Sequence, residues 1–128
     1  MSIVAENEHV VVEERAADRV IIVHRTASRP ETPQELRAAF ADALGLAERY
    51  AGWGLVIDSR RAPGRNDPKF EKVLDQLRAE ASARFVRVAI LVQTAIGELQ
   101  VRRMQHDHDL GGYLTRDLDD AVRFAAGR

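Results

Sequence analysis

The chain has no cysteine among its 128 residues. That absence removes disulfides, thiolate nucleophiles, iron–sulfur clusters and cysteine-ligated zinc together. Aromatic residues are few, namely four Phe, two Tyr and one Trp. Most fall where the spacing predicts core faces, so no exposed platform for stacking bases is expected. Neither sign of charge dominates, since 19 basic residues meet 20 acidic ones for a formal net charge of −1. A dedicated nucleic-acid binder carries a clear basic excess, and nucleic acid is therefore not an expected partner. No apolar run approaches the roughly 18 residues that span a bilayer. Met1 to Asn7 lacks both the basic start and the apolar stretch of a secretory signal. The expectation is a cytoplasmic chain without a membrane span. The G-x-G-x-x-G, G-x-x-x-x-G-K-[ST] and G-x-S-x-G patterns are also missing.

What is present is an ordinary globular mixture, 45% hydrophobic and 30% charged. The length suits one domain over residues 1–128, with 1–7 expected to be flexible. Short β-branched runs alternate with helical patterns. His9 to Glu13 and Arg19 to Arg25 are rich in Val and Ile and read as a hairpin joined by the polar stretch Glu14 to Asp18. Thr32-Pro33-Gln34-Glu35 is a helix start: the threonine caps, proline takes the first helical position, and the glutamate closes a capping box. Leu36, Phe40, Ala43, Ala47 and Tyr50 continue at helical spacing, and Gly52 can end that helix.

A strand follows at Trp53 to Asp58, and Asp67-Pro68 starts a second helix with Phe70, Val73, Leu74 and Leu77 as its apolar stripe. Phe85 to Val92 alternates as a strand. Thr94 caps a third helix running to about His106, which Gly111-Gly112 breaks. Tyr113 to Thr115 then makes a short strand, and Asp117 caps a last helix. The order ββαβαβαβα implies an α/β fold with a mixed sheet of about five strands and four helices.

The loop Arg60, Arg61, Ala62, Pro63, Gly64, Arg65, Asn66, Asp67 carries the strongest functional signal. It leaves the carboxyl end of a strand and enters a helix N-terminus, where open α/β sheets tend to bind ligands. Its three arginines suit an anion, and the loop reads as a ligand- or partner-contact surface. From Arg60 to Lys72 there are five basic residues and two acidic ones, a local excess inside a neutral total. Asp67, as the cap, would occupy the positive helix end itself. The competing reading is a well-capped loop with solvated arginines.

Ile96, Leu99, Val101 and Met104 spread around more than half of the third helix. Such a helix either packs deeply or offers an apolar face to a lipid-like ligand or to a second copy of the chain.

His106-Asp107-His108-Asp109 resembles a metal cluster only in composition. On a helix its two histidines point about 200° apart, and a third ligand is lacking. No metal and no cofactor is expected. His9 and His24 fall in strands and read as packing or edge residues. Ser59 follows Asp58 at a strand end, a reasonable place for a nucleophile, yet no histidine can be assigned to it. No catalytic residue is assigned, and the chain reads as a non-enzyme.

In the order and spacing of Trp53 to Asp58, Arg87 to Val92 and Tyr113 to Ala126, the chain resembles the STAS superfamily. It is most similar to the SpoIIAA-like (STAS/SEC14-type) small bacterial proteins, over about Arg19 to Ala126. The resemblance implies a mixed sheet with helices mainly on one side, and a regulatory role in protein binding rather than catalysis. In the anti-sigma-factor-antagonist branch, a serine at the start of the second helix is phosphorylated by a partner kinase. Where that serine's motif would fall, this chain reads Gly64-Arg65-Asn66-Asp67-Pro68 and has no hydroxyl residue. A binding domain without the serine phosphoswitch is therefore expected. The alternative is a carrier or sensor of a small apolar, lipid-like or anionic ligand, with Ile96, Leu99, Val101 and Met104 as one wall.

Overall fold

Val10, Val11 and Val12 and the run Val20 to Val23 do what β-branched residues favour, pairing as antiparallel strands β2 (Val10–Arg15) and β3 (Val20–Arg25). The computed structural model describes residues 1–64, 67–94, 99, 103 and 112–128. Ahead of the hairpin, Ser2–Glu6 form β1, antiparallel to β2, with a register irregularity between Ile3 and Ala5. This segment was expected to be a flexible lead. Asn7 anchors the connection to β2: its Oδ1 accepts from the backbone N–H groups of His9 and Val10, and its Nδ2 donates to the Ala39 carbonyl at 3.0 Å.

Strands β4 (Gly54–Asp58), β5 (Val88–Leu91) and β6 (Tyr113–Thr115) add in parallel to β3. Among the described residues the sheet is mixed and six-stranded, in the sequential order β1-β2-β3-β4-β5-β6. The α/β class and the mixed sheet match expectation; the strand count is six rather than five because β1 docks on the hairpin edge. β5 is shorter than the stretch Phe85 to Val92 that alternation suggested.

Three helices lie among the described residues: α1 (Pro33–Gly45), α2 (Pro68–Arg84) and α3 (Leu118–Ala126). Each starts as its sequence dictates. The Thr32 side chain accepts from the Glu35 N–H, that of Asp67 from Lys69, and that of Asp117 from Asp120. The Glu35 carboxylate, however, accepts from the Glu31 N–H at 2.6 Å rather than closing a box on Thr32. α1 ends at Gly45, earlier than Gly52. Its apolar spacing runs on because Ala47 and Tyr50, in the turns that follow, are still buried. The expected third helix, Thr94 to about His106, falls largely outside the described residues. No described helix is long and apolar enough to cross a membrane.

Strand alternation divides the core between two faces. On one, Val10, Val12, Ile21, Val23, Leu55 and Ile57 pack under Phe40 of α1 and Leu77 of α2. On the other, Val20, Ile22, Val56, Ala89 and Leu91 pack under Ala121, Val122 and Ala125 of α3. The contact with α3 is close enough to need glycine in β4: a Cβ on Gly54 would lie 1.9 Å from the Ala125 carbonyl oxygen. Gly127, at φ +83°, ends α3 in the left-handed conformation that glycine adopts without steric cost.

Candidate functional site

Three strands carry a charged side chain onto the α3 face near the carboxyl end of the parallel strands. β3 contributes His24, which pairs in register with Asp58 of β4. β2 contributes Glu13, two residues from the partner of His24. Glu13 and Asp58 are buried, at 7% and 6% exposure, and His24 is half-buried.

The imidazole bridges the two carboxylates. His24 Nδ1 lies 2.7 Å from Asp58 Oδ2, and His24 Nε2 lies 2.8 Å from Glu13 Oε1. Each carboxylate is closed on its far side by an arginine. Arg15 Nε donates to Glu13 Oε2 at 2.8 Å. Arg60 Nε and one terminal nitrogen donate to the two oxygens of Asp58 at 3.0 Å each, and the Arg60 backbone N–H adds a third bond to Oδ1. The result is a row of alternating charge, Arg15–Glu13–His24–Asp58–Arg60, laid across β2, β3 and β4.

This geometry fixes the protonation of its members. A carboxylate is an acceptor only, so both ring nitrogens of His24 must donate. The hydrogen bond to Asp58 raises the His24 pKa; burial opposes this, and the bond to Glu13 adds to it. Burial alone would push the Asp58 carboxyl up, but the bonds from His24 and Arg60 outweigh it and hold the group well below the usual carboxylate range. Glu13 is lowered in the same way, against its burial, by Arg15 and His24. An imidazolium with both N–H groups engaged has no lone pair for a metal or for a proton. The row is therefore a clamp: it joins three strands and holds Arg60 at the root of the following loop. Among the described residues no group of His, Asp or Glu is arranged to hold a metal.

The sequence-expected loop is only partly assembled. Arg60 folds back onto Asp58, with two of its three guanidinium nitrogens already engaged. Arg61 and Gly64 are exposed, and Asp67 accepts from the Lys69 N–H at 2.9 Å as the α2 cap. Arg65 and Asn66 lie outside the described residues. Arg29, from the connection between β3 and α1, reaches the loop and donates to the Gly64 carbonyl at 3.1 Å. No local sequence feature announces this contact. Of the proposed apolar face, Leu99 is 66% exposed, while Ile96, Val101 and Met104 lie outside the described residues, as does His106 to Asp109.

By its sequence position alone His24 is a packing or edge residue, and the clamp is not visible there. The available signal was that Glu13, His24 and Asp58 each interrupt or end a β-branched run at a position that should be core. Ser59 points away from the clamp. As the residue after Asp58 it belongs to the opposite face, and its Oγ is buried without a hydrogen-bond partner among the described residues. Asp58 and His24 thus form no triad with Ser59. Comparison of the chain with protein-family models, curated proteins and solved structures gives no match.

Proposed function

We propose that this chain is a non-catalytic, STAS-like binding domain that presents the loop of residues 60–67 to a protein partner, without a serine phosphoswitch. One observation carries the reading. The titratable groups at the carboxyl end of the sheet satisfy one another in the clamp, leaving its acids and its imidazole no free capacity for proton transfer. The same clamp gives the loop a fixed root at Arg60, while Arg61 and Arg29 stay exposed beside it. A rigid root with exposed guanidinium groups suits recognition of an acidic protein surface.

The test is quantitative crosslinking of the full chain in its native extract, comparing wild type with the double variant Arg29→Glu/Arg61→Glu. Both positions are exposed and outside the clamp, so folding is expected to be unaffected. A partner recovered with wild type and reduced at least tenfold with the variant supports the loop as the contact. Equal recovery of every partner by both proteins overturns it.

A further inference from the structure

Between the sheet and helices α1 and α2, a mostly apolar pocket is also lined by two guanidinium groups and the Ser59 hydroxyl. Arg25 ends β3 on that face, and Arg78 approaches from α2. Between them lies a cavity of about 20 Å³, walled in part by Phe40, Leu77 and Phe85. That is room for one or two water-sized groups. Ser59 lines the same cavity, and its hydroxyl is the buried, unpartnered group noted above.

The charges in this cavity do not balance. Asp75 lies 3.9 Å from Arg78. Arg25 is half-buried, and no described carboxylate acts on its guanidinium. Burial, reinforced by the like charge of Arg78, lowers the Arg25 pKa to about 10, so the group remains cationic at neutral pH. A half-buried cation set against apolar walls is costly where water does not reach it, and an accompanying anion lowers that cost. A buried serine hydroxyl without an acceptor can donate to that same anion.

We propose that this cavity binds a compact monoanion, held by the Arg25 guanidinium with the Ser59 hydroxyl as second donor. The size of the void restricts the bound group to a halide or the carboxylate of a short acid. The apolar walls disfavour a dianion, since a second negative charge would meet no further unmatched cation. The site lies across the sheet from the clamp and does not involve Arg29 or Arg61, so it stands or falls separately from the loop.

The experiment is thermal unfolding of the full chain at constant ionic strength, with sodium gluconate, an anion too large for the void, replaced stepwise by chloride, bromide or formate. A saturable rise in Tm with at least one compact anion is expected for wild type. It should vanish in Arg25→Met, checked for folding by circular dichroism. In Ser59→Ala the half-saturating concentration should rise about fivefold, the worth of one modest hydrogen bond. A response to chloride and bromide with none to formate identifies a halide site; a response to formate identifies a site that accepts a small carboxylate. No saturable response in wild type, or an equal response in folded Arg25→Met, overturns the proposal. Should Arg25→Met not fold, an unchanged half-saturation in Ser59→Ala overturns it.

Discussion

His24 Nδ1 lies 2.7 Å from Asp58 Oδ2 across the β3–β4 parallel pair, while the next residue, Ser59, buries its hydroxyl on the opposite face of the same sheet. Strand alternation alone separates them. An Asp-His pair beside a serine in sequence is here split into two unrelated environments, a saturated charge clamp and an apolar cavity.

The clamp makes stability depend on pH from both sides. The folded pKa of His24 is raised from its ordinary 6.5. Its contribution is thus complete below pH 6.5 and is lost as pH rises through the folded value. Asp58 is depressed from 3.8, so its contribution is complete above pH 3.8 and is lost as pH falls through the folded value. Urea unfolding of wild type should show greatest stability between these limits and a decline on the alkaline side. His24→Gln should remove that alkaline decline. Equal slopes for the two proteins between pH 6 and 9 would sink the assignment.

Removing Asp58 should cost far more than removing its exposed partner. Asp58→Asn leaves the imidazolium and Arg60 facing an amide in a buried setting, for a loss of about 3 kcal/mol. Arg60 keeps 38% of its side chain in solvent, so water can replace it, and Arg60→Met should lose under about 1 kcal/mol. Denaturant melts of the two variants at pH 6 check the order. Similar losses from both would mean that Asp58 is held mainly by Arg60 and that the bridge to His24 contributes little.

Local signals were legible where residues interact with near neighbours. The hairpin, the caps at Thr32, Asp67 and Asp117, and the short strand at Tyr113 all follow from propensity and capping chemistry within a few positions. The clamp was not legible because its members lie 11 and 34 residues apart, and only the register of β2, β3 and β4 brings them together. β1 was missed for a related reason. Ser2–Glu6 has only the short apolar stretch Ile3 to Ala5, and its strand conformation comes from pairing with β2 rather than from its own sequence. The loop was located correctly between β4 and α2, but nothing local announced that Arg60 would turn back onto Asp58 or that Arg29 would reach Gly64.

Two glycines should respond to alanine in opposite directions. A Cβ on Gly54 meets the Ala125 carbonyl oxygen at 1.9 Å, which α3 can relieve only by moving away from β4. Gly54→Ala should therefore lose about 3 kcal/mol and weaken amide-exchange protection in α3. Gly45 has nothing within 4 Å of the added carbon and sits in the last turn of α1. Gly45→Ala should gain about 0.5 kcal/mol by restricting the unfolded chain and favouring helix. A neutral Gly54→Ala would show that α3 does not pack against β4 as described.

Asp67 separates structure from recognition in the loop. Its Oδ1 caps α2 by accepting from the Lys69 N–H, a bond that asparagine can reproduce and alanine cannot. Asp67→Ala should lose about 1 kcal/mol of stability. Asp67→Asn should lose no more than about 0.5 kcal/mol, the part owed to a negative charge at the helix N-terminus. Partner recovery then becomes informative. The neutral asparagine leaves the local basic excess one charge larger, so a loop that recognises an acidic surface should bind slightly better in Asp67→Asn, most visibly at low salt. Weaker recovery with Asp67→Asn at unchanged stability would show that the partner reads the carboxylate itself, and that the contact chemistry assigned to this loop has the wrong sign.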